Sequence, residues 1–406
     1  MATSTSERGF RPASRLSEIR PSPIRAIFDK AAELEADGEK VYHFEIGRPD
    51  FDTPATVKES AITALNRGDV HYGPNAGTLD LRSAIADDLA QRRLLHYEAD
   101  GEVLVTIGAN EAVFLAIMAF CDPGDEVIIP VPAWAHYREC VRLAGATPIP
   151  VELDAEDNYN LDVEAIAAHV TSATRMVVIC TPNNPSGTVV GEDELNMLND
   201  VLKGTDALLL SDEIYADLIY GDAVHHSPAA LPDLRDRTLS IGGFAKAFAM
   251  DGWRLGWLAG PRELITPALR VRQFTTVCPP AFLQPAAATA LRSAREEAEG
   301  MRAEFERRRN VGLELLTGIP GVHVTRPDGA FYLYLTYDPA IAEPADELAL
   351  RLLSEDNVAV IPGTAFDPEG GTYALRISYA CHVDDLREGL TRITHALTTK
   401  QGETNR

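Results

Sequence analysis

Seven short apolar runs, rich in β-branched residues, recur through the middle of the chain and are separated by stretches with helical periodicity. Several of them are apolar on both faces, which is typical of strands in a parallel sheet covered by helices on either side. The pattern predicts an α/β fold with a mostly parallel seven-stranded sheet. The runs are EVLVTI (102–107), EVIIPV (126–131), TPIPVE (147–152), RMVVIC (175–180), ALLLSD (207–212), TLSIGG (238–243) and LGWLAG (255–260).

The C-terminal part has a different pattern. A long helical segment covers 294–318, and two strand patterns, AFYLYLTY (330–337) and YALRISYA (373–380), flank a helical pattern at 345–356. We therefore expect a large domain over residues 50–290. A smaller α+β domain is expected to combine a segment within residues 1–49 with residues 291–406. The first dozen residues and the tail 398–406 are expected to be a loose arm and a frayed end.

Composition and charge narrow the class of protein. The 406 residues are 45% hydrophobic, and 37 Lys and Arg stand against 61 Asp and Glu, for a formal charge of −24. Such a surface repels nucleic acid and anionic membranes. The longest apolar run, 112–120, is far shorter than the roughly 20 residues of a membrane span. We see no secretory signal, and the five cysteines form no C-x-x-C pair. We therefore expect a cytoplasmic protein with reduced thiols.

Ligands of open α/β sheets bind at the carboxyl ends of the strands, so the residues that follow each run are candidates for chemistry. The stretch GFAKAFAMDGWRLGW (243–257) holds Lys246 as a lone amine among apolar side chains. Burial lowers the pKa of a lysine, and a neutral amine can form a Schiff base. The flanking Phe244, Phe248 and Met250 argue against a surface lysine whose amine reaches solvent.

Residues that could bind a ligand also follow two other predicted strands. Asp212 ends a strongly apolar strand, where a carboxylate needs a cation or several hydrogen-bond donors, and Tyr215 follows it. Gly108, Ala109 and Asn110 open a helix whose N–H groups suit a phosphate, although many strand-to-helix turns look alike.

Two further strand ends leave alternatives open. Trp134 and Tyr137, one helical turn apart, are either packing aromatics or a face on which a ring can stack. The loop TPNNPSG is either a plain turn or a source of amide donors from Asn183 and Asn184.

These parts together suit pyridoxal 5′-phosphate (PLP). That cofactor needs an amine for its aldehyde, a carboxylate for its ring nitrogen, donors for its phenolate, an aromatic face, and a helix end plus an arginine for its phosphate. Arg254, eight residues after Lys246, can supply the last of these.

With these residues in place, the sequence resembles the class I/II aminotransferases of the fold type I PLP enzymes, the aspartate and aromatic aminotransferases among them. The resemblance runs from about Ser14 to about residue 400. It rests on six motifs in order: GRPDFDTP (47–54), HYGPNAGTLDLR (71–82), PNNPSG (182–187), DEIY (212–215), AKAFAMDGWRLG (245–256) and LRISYA (375–380).

The resemblance implies a role for each site residue. Lys246 would bind PLP covalently and carry the proton, and Asp212 would pair with the ring nitrogen. Arg376 would grip the substrate α-carboxylate. Gly47 would let the backbone come close to the substrate, and Asn184 would contact it as well. The other implied cofactor contacts are Tyr215 and Asn184 to the ring oxygen, Trp134 to the ring face, Gly108, Ala109, Asn110 and Arg254 to the phosphate, and Tyr72 to the phosphate of a neighbouring subunit in a homodimer.

Three positions depart from the usual family pattern. Gly243 and Ala245 stand where many relatives have serines near the phosphate. Asp251 replaces a small uncharged residue and could pair with Arg254. Arg48 stands where Glu or Gln is common, so it is either a determinant for acidic or polar substrates or a surface arginine paired with Asp50 or Asp52.

The sequence thus predicts a PLP-dependent aminotransferase that acts on an L-amino acid and a 2-oxo acid, and 2-oxoglutarate and glutamate are expected as one pair. A β- or γ-eliminating lyase or a cyclase on the same scaffold would keep the same cofactor contacts. A PLP-binding regulatory protein is less consistent with the acidic chain, which has no added DNA-binding region. No metal site is expected, because His225 and His226 lack ligand spacing.

Overall fold

The computed structural model describes residues 12–19 and 23–399, so most of the predicted N-terminal arm and C-terminal tail lies outside the described residues. The strands are β1 Tyr42–His43, β2 Val103–Thr106, β3 Glu126–Val131, β4 Thr147–Glu152, β5 Thr174–Cys180, β6 Leu208–Asp212, β7 Thr238–Gly243, β8 Gly256–Ala259, β9 Val322–Val324, β10 Tyr332–Tyr337, β11 Val358–Ala359, β12 Ile361–Pro362 and β13 Ala374–Ser378.

Helices connect most of these strands. They are α1 Pro23–Ala36, α2 Ala55–Arg67, α3 Leu79–Arg93, α4 Gly108–Phe120, α5 Ala135–Ala144, α6 Val163–His169, α7 Glu192–Leu202, α8 Pro232–Arg235, α9 Arg262–Gln273, α10 Gln284–Ser293, α11 Arg295–Leu316, α12 Ala345–Asp356 and α13 Val383–Thr399. No helix of the described chain is long and apolar enough to cross a membrane.

The large sheet has seven strands in the order β2-β8-β7-β6-β5-β3-β4. Only β8 runs against its neighbours, so the prediction of a mostly parallel sheet is confirmed. Alternate side chains of β2 enter two different cores: Val103 and Val105 pack with α2, α3 and α10, whereas Leu104 packs with α4 and α9. Both faces of the sheet are therefore buried, which explains why its inner strands are apolar throughout.

The strand β4 forms an edge of this sheet and is mostly exposed. It carries Pro148 and Pro150, and proline is tolerated at an edge because no strand needs its missing N–H there.

A second, smaller domain is built from both ends of the chain. A four-stranded antiparallel sheet has the order β12-β13-β10-β9, and β1 pairs in parallel with β11. Its core joins Ile27, Val41 and Phe44 of the N-terminal segment to apolar side chains between residues 305 and 397. The predicted combination of a large α/β and a small α+β domain is confirmed, while domain boundaries after residues 49 and 290 remain predictions.

Candidate functional site

An inner cavity of about 260 Å³ lies at the carboxyl ends of the parallel strands, between the large sheet and the small domain. Two of the thirteen predicted site residues, Tyr72 and Arg48, do not line it. The other eleven do: Gly47, Gly108, Ala109, Asn110, Trp134, Asn184, Asp212, Tyr215, Lys246, Arg254 and Arg376.

Lys246 follows β7 and reaches into this cavity. The flanking Phe244, Phe248 and Met250 are fully buried, as the apolar run predicts. Its Nζ donates a hydrogen bond of 2.5 Å to the backbone carbonyl of Gly47. Burial lowers the pKa of Lys246 to about 8, so a substantial fraction of the amine is neutral near physiological pH. A neutral amine is the form that attacks a carbonyl.

Asp212 lies at the end of β6 and is 1% exposed. Its Oδ2 accepts a 2.8 Å hydrogen bond from the hydroxyl of Tyr137, and its Oδ1 accepts one of 3.1 Å from the N–H of Ile214. Burial raises the pKa of Asp212 to about 6 despite these two donors. A carboxylate with so few donors is suited to a cationic ligand atom in the cavity.

A cradle for an anion is formed where α4 begins. Gly108 has φ +72°, and a Cβ built on it would lie 2.8 Å from Nη2 of Arg254. The missing side chain therefore makes room for the guanidinium beside the first N–H groups of α4. A helix N-terminus and a guanidinium together suit a phosphate dianion. The backbone carbonyl of Asp251, rather than its carboxylate, accepts a 2.9 Å bond from Arg254, so the side-chain pairing considered for these residues is not formed.

Arg376 extends from β13 into the opposite end of the cavity and is 4% exposed. Its Nη2 donates to the backbone carbonyl of Glu45 at 2.6 Å, and its Nη1 donates to Oδ1 of Asn184 at 3.3 Å. Its Nε is buried and has no hydrogen-bond partner among the described residues. A buried guanidinium with a donor to spare is suited to a ligand carboxylate.

Aromatic residues complete the walls. The hydroxyls of Tyr215 and Tyr332 lie 2.8 Å apart, and Tyr332 also lies beneath the guanidinium of Arg376, 4.6 Å from ring centroid to Cζ. Trp134 immediately precedes α5 and meets the ring of Tyr137 edge to face at 5.5 Å. A Cβ on Gly47 would lie 2.5 Å from the hydroxyl of Tyr332, which explains why a glycine is needed there.

Tyr72 and Arg48 stand apart from the inner cavity. Tyr72 is 91% exposed. Arg48 is exposed and lines an outer cavity that shares Phe28, Glu45 and Asp251 with the inner one.

Arg48 has no ion-pair partner among the described residues. The carboxylates considered as its partners bind elsewhere: Asp50 pairs with Arg308 at 2.7 Å, and Asp52 pairs with Lys58.

The packing around residue 243 explains why a glycine stands where many relatives have a serine. A Cβ on Gly243 would lie 2.9 Å from Cδ1 of Ile214 and 3.2 Å from Cα of Gly256, so a serine there would force its neighbours apart. Ala245 lines the inner cavity and leaves space rather than a hydroxyl.

Three lining residues have contacts that sequence patterns did not reveal. Tyr137 was considered only as an aromatic face, yet its hydroxyl binds Asp212. Tyr332 and Glu45 were not considered as site residues, although the strand pattern at 330–337 placed Tyr332 in the small domain. No local pattern distinguishes these side chains from ordinary core residues.

The residues present fit PLP. The cavity offers an amine with a lowered pKa, a buried carboxylate, an anion cradle that a Cβ at residue 108 would fill, and a guanidinium with a donor to spare. These are the groups that the cofactor and an amino-acid substrate require.

Comparison with known proteins agrees with this interpretation. The family model of aminotransferase class I and II matches residues 39–393. The aspartate aminotransferase of Pyrococcus abyssi is 38% identical over 96% of this chain and 99% of its own length. The aromatic-amino-acid aminotransferase 2 of Thermococcus litoralis is 36% identical over 96% of this chain and 99% of its own length. A solved structure of the Thermus thermophilus aspartate aminotransferase with maleate superposes with a TM-score of 0.90 at 38% identity, covering 96% of this chain and 100% of that one.

The chain therefore belongs to the class I and II aminotransferases. It is a transaminase that depends on PLP, as the sequence predicted. The relatives named here are aminotransferases, which favours transamination over elimination or a purely regulatory role.

Proposed function

We propose that this enzyme moves an amino group between an L-amino acid and a 2-oxo acid, with glutamate and 2-oxoglutarate as one pair. The observation that carries the proposal is the convergence of Lys246, Asp212, Arg254 and Arg376 on one cavity of about 260 Å³. Relatives that are named aspartate aminotransferases support the choice of glutamate and 2-oxoglutarate.

The large-domain residues would hold the cofactor. PLP, when bound, supplies an aldehyde for the amino group and a ring that accepts electrons from the substrate α-carbon. Asp212 would keep a proton on the ring nitrogen. The phosphate would lie against Arg254 and the first residues of α4, which are Gly108, Ala109 and Asn110. The ring would face Trp134. The phenolate oxygen would accept hydrogen bonds from Tyr215 and Asn184.

Lys246 would have two tasks. Its amine would attach the cofactor and, once displaced by the substrate, would carry a proton between the α-carbon and C4′ of the cofactor. The pKa of about 8 suits both tasks, because a group that gives and takes a proton works best when its pKa lies near the working pH.

Arg376 would bind the α-carboxylate that amino acid and 2-oxo acid share, using a planar pair of donors that a lysine cannot offer. Gly47 would allow close approach of the substrate and would hold the Lys246 amine through its carbonyl.

Arg48 is proposed to attract substrates with acidic or polar side chains at the outer cavity, since it is exposed and its neighbouring carboxylates are engaged by other cations. Arg48→Gln should raise KM for acidic substrates more than for apolar ones. Lys58→Gln, which also removes an exposed cation, is the matched control and should leave that ratio unchanged. An equal effect of Arg48→Gln on both substrate types would contradict the assignment.

A homodimer with shared sites is proposed for this chain. Tyr72 is 91% exposed and Phe274 is 87% exposed. The side chain of Asn75 donates a 2.8 Å bond to the carbonyl of Val277, which ties their two loops into one surface. Mixing Lys246→Ala with Tyr72→Phe, once each is shown to be inactive, should restore activity through hybrid dimers. Confirmed subunit exchange without recovery would contradict a shared site.

A cytoplasmic location also stays a prediction.

The decisive experiment has two parts. Borohydride reduction followed by peptide mapping should place the cofactor on Lys246, and a label on any other lysine would overturn the assignment. A panel of amino donors with 2-oxoglutarate should yield glutamate and the matching oxo acid. Release of ammonia or of a side-chain leaving group without glutamate would mean that the enzyme is a lyase.

A further inference from the structure

His43 links the substrate end of the inner cavity to helix α1. Its Nδ1 lies 2.8 Å from Oε1 of Glu45, and its Nε2 lies 3.1 Å from Oε1 of Glu35 on α1. The Glu45 side chain is fully buried, whereas Glu35 is about half exposed. The imidazole is thus held between a carboxylate inside the protein and one on a surface helix.

Both contacts together specify the charge of the ring. A neutral imidazole has one N–H and can donate to only one acceptor, whereas two carboxylate acceptors call for the imidazolium. Hydrogen bonding to Glu45 accordingly raises the pKa of His43 to about 9, with burial opposing and Glu35 reinforcing the shift.

Glu45 is the connection to the active site. Its backbone carbonyl accepts the 2.6 Å hydrogen bond from Nη2 of Arg376, and two residues later the carbonyl of Gly47 accepts the Lys246 amine. Phe28 of the same helix α1 lines the inner cavity. A single charged ring therefore fastens α1 to the segment that orients the substrate-binding arginine.

We propose that His43 is a positioning residue for substrate binding, which clamps Glu45 between α1 and Arg376 so that the guanidinium is held ready for an α-carboxylate. The inference rests on the role proposed above for Arg376. It assigns to His43 no contact with substrate or cofactor.

Two cations close to His43 in the fold contact the ring of Tyr42. Lys40 and Arg392 both lie over the ring of Tyr42, and successive residues of a strand point to opposite faces. The charged residues that line the outer cavity together with His43 are Glu35, Glu45, Arg48, Asp50, Asp251, His382 and Asp385.

The first test uses His43→Gln in the PLP-loaded enzyme. The variant should raise KM about 10-fold for amino donor and 2-oxo acid alike, because both carry the α-carboxylate, while kcat changes little. The visible spectrum of the bound cofactor should be unchanged, since no cofactor contact is touched. Lys40→Gln, which breaks the nearby exposed ion pair with Asp385, is the matched control and should leave KM unchanged.

The second test follows the pH dependence of KM. As the pH rises through the pKa of His43 in the folded enzyme, the imidazolium loses a proton and can no longer donate to both carboxylates. In the wild type, KM for the 2-oxo acid, which has no amino group to titrate, should rise above about pH 9. The KM of His43→Gln should be high and flat over the same range, and Glu35→Gln should show an intermediate KM.

The outcomes separate this inference from the proposed function. Arg376→Lys tests the α-carboxylate role alone. If Arg376→Lys raises KM but His43→Gln leaves KM and its pH profile as in the wild type, the clamp is wrong and the function stands. A fall in kcat with a changed cofactor spectrum, at unchanged KM, would also overturn the clamp. If Arg376→Lys leaves KM unchanged, the α-carboxylate role of Arg376 is wrong, and the clamp that rests on that role is overturned with it.

Discussion

Removing the charge of Asp212 is expected to stabilise the cofactor-free protein while it weakens PLP binding. The carboxyl is 1% exposed, and burial raises its pKa from 3.8 to about 6. A carboxyl whose pKa is raised by folding stabilises the folded state in acid, and this contribution is lost as the pH rises through about 4 to 6. Two pKa units correspond to about 3 kcal/mol of destabilisation at neutral pH.

The assay is urea unfolding of the cofactor-free protein at fixed concentration, at pH 5 and at pH 8. Asp212→Asn should be more stable than the wild type, and the difference should grow by about 1.5 kcal/mol between these pH values. The same variant should bind PLP about 10- to 100-fold more weakly, since a charge-assisted hydrogen bond to the ring nitrogen is lost.

The adjacent residue, Glu213, is a control, because removing its charge should change the free energy of unfolding in the opposite direction. Burial alone would raise the pKa of Glu213, but hydrogen bonds from His225 and Ser227 and the charge of Arg93 hold it below its ordinary value of 4.5. Glu213→Gln should therefore lose stability at pH 8 relative to the wild type, and the loss should shrink as the pH falls. Were Asp212→Asn less stable than the wild type at pH 8, or its advantage independent of pH, the reasoning about burial would be refuted.

Three further predictions concern the cradle, the substrate end and the amine. Gly108→Ala places a Cβ 2.8 Å from Arg254 at φ +72°, so PLP affinity should fall at least about 10-fold in a fluorescence titration. Gly47→Ala places a Cβ 2.5 Å from the Tyr332 hydroxyl, so KM should rise for donor and acceptor in steady-state assays. The stopped-flow rate at which cofactor-free protein captures PLP should rise with pH through about 8, because the neutral form of Lys246 would be the nucleophile.

Gly68 supplies the control for the first of these. It also has a positive φ, +89°, but no atom lies within 4 Å of its built Cβ. Gly68→Ala should cost stability through backbone strain alone and leave PLP affinity unchanged. Equal loss of affinity in both variants would mean that strain, rather than the contact with Arg254, explains the effect. A capture rate that is flat between pH 7 and 9 would contradict the pKa assigned to Lys246.

Local patterns were sufficient for the framework of the protein. The seven strands of the large sheet lie within one residue of the predicted runs, because a buried parallel strand needs apolar residues on both faces. Lys246 was recognisable because a lone amine in an apolar run needs a chemical reason. Gly108 was recognisable because a helix that begins directly after a strand presents its N–H groups at the sheet edge.

Long-range contacts were not predictable in this way. Tyr137 meets Asp212, and His43 meets Glu45, through positions that depend on how distant segments pack. Arg48 illustrates the same limit: proximity along the chain suggested Asp50 and Asp52 as its partners, but Asp50 pairs with Arg308, far along the chain. A single sequence contains no local signal for such pairings.

The small domain has a consequence for the order in which the enzyme is assembled during synthesis. Strand β1 pairs with β11, and Arg376 lies on β13. This domain therefore cannot fold completely until almost the entire chain has left the ribosome. The large sheet, in contrast, needs no strand beyond β8, which ends at Ala259. Asp212, Lys246 and Arg254 therefore leave the ribosome well before Arg376, the arginine that would select the substrate. A nascent chain is expected to be competent to take up its cofactor before it can recognise an amino acid.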